Sequence, residues 1–329
     1  MMKKIWVKDM EKHLENEICE FFYLKDVSFS ITDGNRWQDL LLVDVSGRMI
    51  GKCWSEYIQQ KYLEYQGKIV RVTGKVELFR DMYCMKVVDV QLASEDDYNV
   101  SDFRVGLSDD EADALVVRLH EMISSVTNEK YRTLLYSVFT PNKIKKFRKL
   151  PATKSDHHTY DGGWLKHTIE VAELALTAVK LCNYGPLEIV DIDENLLVTG
   201  ALLHDVGSIS SYNQNIEPGL TLRGGLVGHV HDSAVFISCT NKSISKEELR
   251  VSDLTELLHI VISSHIKESS VAPMTKEAVI VSQADALSAN FNAVDTLFYN
   301  FDMRHPEEKG REQVYSKYFE ANMTRINRR

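Results

Sequence analysis

Eight of the 11 histidines of this 329-residue chain fall between His157 and His265. Several lie in otherwise apolar runs, where an imidazole without a partner is costly to bury. The sharpest feature is the pair His204-Asp205, which follows LLVTGALL and precedes Val206-Gly207. It sets a neutral nitrogen donor beside an anionic oxygen donor at the end of a buried helix. An isolated His-Asp pair is more often a solvated helix end. Here the apolar lead-in and a separate histidine-bearing helix upstream reverse that weighting. His167 sits in the first turn of a helix after Gly162-Gly163, and Asp285 interrupts the apolar run AVIVSQADAL. A buried carboxylate needs a cation or several donors. Two imidazoles and two carboxylates suit manganese, iron, cobalt, nickel or zinc. The cluster contains no cysteine, which argues against a structural zinc. A metal held this way keeps open positions to activate water and polarise a phosphoryl oxygen.

Helices must position these groups. Apolar residues at three-to-four spacing predict helices in DDEADALVVRLHEMISSV, NEKYRTLLYSVFT, GWLKHTIEVAELALTAVKLC, DENLLVTGALLHDVG, GGLVGHVHDSAVFISCT, DLTELLHIVISSH and KEAVIVSQADALSANFNAVDTLF. Almost no strand signal follows residue 108. Before it the period differs. FFYLKDVSFSI, DLLLVDVSG, MIGKCWS, KIVRVTGKVEL and YCMKVVDVQLA read as strands, with a helical stretch at SEYIQQKYLEY between the third and fourth. Five short strands in this order suit a small all-β OB-fold barrel. The expected class is therefore multidomain: a barrel over 1–93, a polar linker over 94–108, and an all-α domain over 109–329.

The bulk numbers fit this reading. The chain is 44% hydrophobic and 26% charged, with net charge -9 and five scattered cysteines lacking a CxxC pair. It reads as a globular cytoplasmic protein with reduced thiols. No run reaches about 18 apolar residues, so no membrane span is expected. An acidic chain does not coat nucleic acid non-specifically, so nucleic-acid contact requires a local basic patch or metal-neutralised phosphate. One such patch is PNKIKKFRKLPATK, where Lys143, Lys145, Lys146, Arg148, Lys149 and Lys154 crowd the approach to His157. A solvated helix face has equal weight there.

The pattern His167…His204-Asp205…Asp285 on an all-α domain resembles the HD superfamily of metal-dependent phosphohydrolases. The ordered blocks DHHTYDGGWLKHTIEVAELA, TGALLHDVGSI, YNQNIEPGLTLRGGLVGHV, LLHIVISSHI and APMTKEA followed by ADALSAN are similar to those of YhaM-type 3′-to-5′ exoribonucleases. That family also carries an OB-fold before its HD domain. The resemblance implies His167, His204, Asp205 and Asp285 as ligands of a first metal, manganese foremost. It implies His229 and His265 as ligands of a second, bridged by Asp205. His259 matches a further family position but reads equally as a packing residue, and His231 falls off the ligand face. His157 and His158 are expected to face substrate phosphate. Glu170 is a candidate for orienting an imidazole. In the barrel, Trp37, Trp54, Phe79, Arg80 and Tyr83, with Lys52, Arg71 and Lys86, are candidates for stacking and holding a single strand. For a tryptophan on so small a barrel, a core role has slightly the greater weight. Three positions depart from the pattern. Ser208 stands where the family has lysine, Ser264 where it has the first of two histidines, and Ser288 at its second acidic position.

The function implied is a metal-dependent 3′-to-5′ exonuclease on single-stranded RNA, or DNA, using one or two divalent ions. Family members form oligomers, which leaves a homo-oligomer open. Two other readings remain. One is an HD-type nucleotide or cyclic-dinucleotide phosphohydrolase. The other is a non-catalytic nucleic-acid-binding protein with a retained metal site.

Overall fold

The computed structural model describes residues 3–32, 35–54, 60–79, 82–182, 191–213, 215–244, 248–265, 271–305 and 308–326. Of the candidates above, Arg80 lies outside these residues.

The β-branched and aromatic runs at the start of the chain form a closed barrel of β1 (Glu17–Thr32), β2 (Asn35–Asp44), β3 (Gly47–Cys53), β4 (Lys68–Phe79) and β5 (Met82–Leu92). The strand order is β1-β2-β3-β5-β4, with β1 pairing antiparallel to both β2 and β4, and β3 parallel to β5. Helix α1 (Gln60–Tyr65) lies between β3 and β4. This is the OB-fold arrangement. Period-two alternation sends Phe22, Leu24, Leu40, Leu42, Val70, Val72, Met85 and Val90 into one core. At 16 residues β1 serves two partners, and its register shifts between Leu24 and Asp26. A bulge of this kind bends a strand and lets it turn a barrel corner.

The expected linker is more ordered than its polar, aperiodic sequence indicates. It contains two 3-10 turns, Glu95–Asp97 and Val100–Asp102. Ser94 and Asp97 form a reciprocal capping box, and Phe103 is buried. Such turns satisfy their backbone locally through short polar side chains, which leaves no hydrophobic period to read. One compact unit comprises Met1–Val105 with Phe301–Gly310, and the other Gly106–Asn300 with Arg311–Arg329.

The second unit contains α2 (Asp109–Ser125), α3 (Glu129–Val138), α4 (Pro141–Phe147), α5 (Gly163–Cys182), α6 (Glu194–Leu203), α7 (Ser208–Ser211), α8 (Leu222–Leu226), α9 (His229–Ser243), α10 (Val251–Ser263) and α11 (Lys276–Arg304). Ser108 caps α2 in a box with Glu111, and Asp193 caps α6. Every residue of α6 from Leu196 to Leu203 is buried, as an all-round apolar helix requires. Three expectations are corrected. The helix read through DENLLVTGALLHDVG stops at Leu203, and residues 204–207 turn. The helix read through GGLVGHVHDSAVFISCT breaks at Gly228, whose φ of +79° is left-handed. The region after residue 108 also holds a hairpin, β6 (Gln313–Ser316) with β7 (Ala321–Thr324). At four residues each, these strands are too short for alternation to register. No helix among the described residues is long and apolar enough to cross a membrane.

Candidate metal centre

The turn and the break just described place three of the six candidate ligands. Stopping α6 at Leu203 leaves His204 at its C-cap, followed by Asp205. Breaking the chain at Gly228 makes His229 the first residue of α9. His167 comes from the first turn of α5, Asp285 from α11, and His265 from just after α10.

All six come together in two groups. In the first, His167 Nε2 is 3.0 Å from Asp285 Oδ1 and 3.4 Å from His204 Nε2. His204 Nε2 is 3.8 Å from the same Asp285 oxygen. In the second, His229 Nε2 and His265 Nε2 are 3.2 Å apart and lie 3.4 and 3.3 Å from Asp205 Oδ1. Asp205 joins the groups, because its Oδ2 is 3.7 Å from His204 Nε2. Each group has ligand atoms close enough to share one ion.

Hydrogen bonds reveal which nitrogens are bare. His204 Nδ1 is 2.8 Å from the Ala201 carbonyl, which can only accept, so Nδ1 carries the proton. Ser264 donates its hydroxyl proton to the Val261 carbonyl, so it accepts from His265 Nδ1 at 2.8 Å. In both rings the Nε2 lone pair is left facing other lone pairs and carboxylates. That arrangement is unfavourable without a cation between the groups. Asp205 Oδ1 is moreover buried without a hydrogen-bond donor. An orphaned carboxylate oxygen beside bare imidazole nitrogens fits a divalent ion with mixed nitrogen and oxygen ligands.

Electrostatics agree. Burial keeps His204 neutral. Burial alone would raise the Asp205 carboxyl, but His204, His265 and His229 overcome this and hold it well below the usual range. Asp285 is likewise opposed by burial yet drawn down to about 2, by His265 and by His167 with its hydrogen bond.

The other candidates divide. His157 is partly buried, with its ring centroid 4.8 Å from that of His167. His158, expected to face substrate, is instead fully buried. It sits at φ +46°, and its amide donates to Asn292 Oδ1. A side chain enclosed on all sides cannot meet a phosphate. The Gly163 that follows has no room for a side chain, because a Cβ would stand 2.1 Å from the His158 carbonyl oxygen. His231 is exposed and His259 accepts from the Met274 amide at 2.9 Å, so neither joins the cluster. Ser208 is buried with no hydrogen-bond partner for its hydroxyl. Lys145, Lys146, Lys149 and Lys154 are exposed, whereas Arg148 pairs with Asp113 and Asp109. Lys143 bonds the Ser137 carbonyl and lies over Phe236.

In the barrel, Trp37 and Trp54 sit with ring centroids 4.7 Å apart, and Trp54 is 47% exposed. Lys52 Nζ lies 5.1 Å from the Trp37 ring and 4.8 Å from that of Phe79. Lys52 also pairs with Asp39 at 3.2 Å.

A family profile described as "HD domain" matches residues 164–290. This chain has a segment similar to the HD domain and resembles the YhaM type. The 3′-5′ exoribonuclease YhaM of Geobacillus sp. (strain WCH70) is 26% identical over 284 residues, covering 85% of this chain and 84% of that protein. The matched segment contains all six clustered residues, from His167 to Asp285. A second profile, described as "Putative helicase", matches residues 107–194. The solution structure of the second OB-fold domain of replication protein A from Methanococcus maripaludis aligns with 29% of this chain and 97% of that domain. Its identity is 21% and its TM-score 0.21, so the barrel's class stands on its own strand order.

Sequence reasoning missed Asn292 and Trp164, and read Ser288 only as a departure from the related pattern. Ser288 and Asn292 lie three and seven residues after Asp285, on the same face of α11, and that spacing was a readable signal. Trp164 donates its indole N–H to the Asp205 carbonyl at 2.8 Å.

The site also predicts a pH dependence. Burial, with His167 and His158 nearby, holds His157 down to about 2 from its usual 6.5. Between those values the unfolded chain binds a proton that the folded chain refuses, so stability rises with pH across that window. Chelated protein should therefore melt lower near pH 5 than near pH 7.5. An equal or higher melting point at the acid end would contradict the neutral imidazole.

Proposed function

We propose that this chain is a metal-dependent 3′-to-5′ exonuclease that hydrolyses single-stranded RNA. The observation that carries the reading is the junction at Asp205, a buried carboxylate without a donor between two groups of bare imidazoles. The likeness to an exoribonuclease over both parts of the chain supports it. Functionally, the division is a nucleic-acid-binding barrel over 1–93, a connecting segment over 94–108, and a hydrolytic domain over 109–329.

His167, His204, Asp205 and Asp285 would hold one divalent ion, manganese foremost, and Asp205, His229 and His265 a second. Such ions activate a water and polarise the scissile phosphoryl group. The residues' own part is to present unprotonated Nε2 atoms and ionised carboxylates at neutral pH without rearrangement. The exposed lysines of 145–154 would attract the phosphate backbone in an otherwise acidic chain. Reversing Lys145, Lys146 and Lys149 to glutamate should weaken RNA binding about tenfold or more and flatten its salt dependence. Unchanged affinity and slope would assign these lysines to a solvated face.

The tilted Trp37–Trp54 pair, with Lys52 between Trp37 and Phe79, offers faces on which bases stack. Trp54→Ala should raise the dissociation constant for single-stranded RNA by about 5- to 150-fold, the equivalent of about 1–3 kcal/mol. An effect below twofold would place the strand elsewhere.

The buried, uncharged Ser208, standing where the related pattern has lysine, favours one second reading, a shift of substrate to a nucleotide or cyclic dinucleotide. A screen of single-stranded RNA, single-stranded DNA, nucleotides and cyclic dinucleotides with each divalent ion separates the two. Stepwise shortening of RNA blocked at its 5′ end supports the nuclease. Turnover of small nucleotides alone replaces it. Full metal occupancy with no hydrolysis leaves a binding protein.

A further inference from the structure

One carboxylate outside the ligand cluster touches one histidine directly and reaches a second through a serine. Glu170 Oε2 accepts the hydroxyl proton of Ser288 at 2.8 Å and lies 3.1 Å from His158 Nε2. Ser288 Oγ in turn lies 2.9 Å from His167 Nδ1. His158 Nδ1 lies 3.2 Å from His157 Nδ1. Ser288, His158 and His167 are all buried.

Proton counting makes these contacts directional. A serine hydroxyl has one proton, and an ionised carboxylate has none. Ser288 gives its proton to Glu170, so it can only accept from His167. His167 therefore carries a proton on Nδ1, and its Nε2, 3.0 Å from Asp285 Oδ1, is the nitrogen left to face the cluster. Along the other arm, His158 must donate from Nε2 to Glu170, leaving its Nδ1 bare. That nitrogen accepts from His157, so His157 also carries its proton on Nδ1 and has a bare Nε2.

We propose that Glu170 is a positioning residue that sets the proton positions of two histidines at once, His167 through Ser288 and His157 through His158. Its oxygen is the origin of both arms. Ser288 hands the constraint to a candidate ligand, and His158 hands it to a second acceptor beside the cluster. This accounts for the enclosure of His158, which has no route to substrate but has both ring nitrogens engaged. The proposal rests on the metal reading above only for the role of His167 Nε2, since the Nδ1 proton is placed by contacts within the chain itself.

Nitrogen NMR of metal-free protein labelled with 15N-histidine tests it. His167 and His157 should both show the Nδ1–H form in the wild type. Ser288→Ala should release His167 into mixed tautomers while leaving His157 unchanged, and Glu170→Ala should release both. A merely structural role would not separate the two rings. By calorimetry, Ser288→Ala should bind manganese about tenfold or more weaker, the usual effect of losing a partner behind a ligand. Ser288→Thr, which keeps the hydroxyl, should stay within about threefold of wild type. A wild-type His167 without a proton on Nδ1 overturns the proposal. So does a Ser288→Ala variant with wild-type affinity, or one that disturbs both rings alike. If Ser288→Ala does not fold, the wild-type spectrum and Ser288→Thr still decide. None of these readouts uses substrate. A protein with the expected tautomers that cleaves nothing would overturn the nuclease and leave Glu170's role standing.

Discussion

Asp205→Ala is expected to reduce manganese-dependent hydrolysis of a 3′-hydroxyl single-stranded RNA by about 10³-fold or more, the equivalent of about 4 kcal/mol. The change removes the carboxylate shared by both ligand groups, one oxygen toward His204 and the other toward His229 and His265. It leaves the backbone carbonyl to which Trp164 donates. The local fold should therefore persist. In chelated protein the substitution removes a buried carboxylate oxygen that has no donor, so the melting point should hold or rise. With metal present it should lose the stabilisation that binding provides. Opposite responses with and without metal would distinguish a ligand from a structural carboxylate. Unchanged turnover would remove Asp205 from the site.

Gly207→Ala should be the most damaging small substitution next to the cluster. A Cβ at that position would stand 2.3 Å from both the His229 carbonyl oxygen and the Ser233 amide, and 2.7 Å from the Asp232 carbonyl carbon. All three are backbone atoms at the start of α9, so no side chain can swing aside. Relief would require moving α9 and with it His229. The Gly207 amide also donates to Ser233 Oγ at 2.8 Å, a bond that the same displacement would break. A loss of about 3 kcal/mol is expected, lowering the melting point by roughly 6–12 °C. Gly225 is the matched control, because nothing lies within 4 Å of an added Cβ there. If both variants melt alike, the close approach is not what glycine serves at position 207.

The clustering of these histidines and aspartates was legible because they break a strong pattern. His204 and Asp205 end an apolar helix, and Asp285 interrupts another. The barrel was legible because period two and the helix before the fourth strand fix an order that few small folds share. The roles of the serines were not legible. Ser264 and Ser288 stand where the related pattern has a histidine and an acid, and composition alone reads them as losses. In the structure each hydroxyl accepts from the Nδ1 of a clustered histidine and donates onward. Direction of that kind depends on three-dimensional contacts between α5, α10 and α11. Likewise, a Pro-free helical period across GGLVGHVHDS hides the left-handed Gly228 that makes two helices of one. His158 misled for a related reason, since its place beside His157 said nothing about which of the two rings would be enclosed.

The chain's four tryptophans are Trp6, Trp37, Trp54 and Trp164. Trp164 is fully buried, stacked on Phe147 at 4.0 Å between centroids, and bonded through its indole to the Asp205 backbone. Trp54 is half-exposed on the barrel, against Trp37. The protein thus carries two built-in optical reporters in different polarities. Emission from the blue edge follows the backbone of a candidate metal ligand, and emission from the red edge follows the surface offered to nucleobases. A titration with metal and one with RNA can therefore be read separately in unlabelled protein.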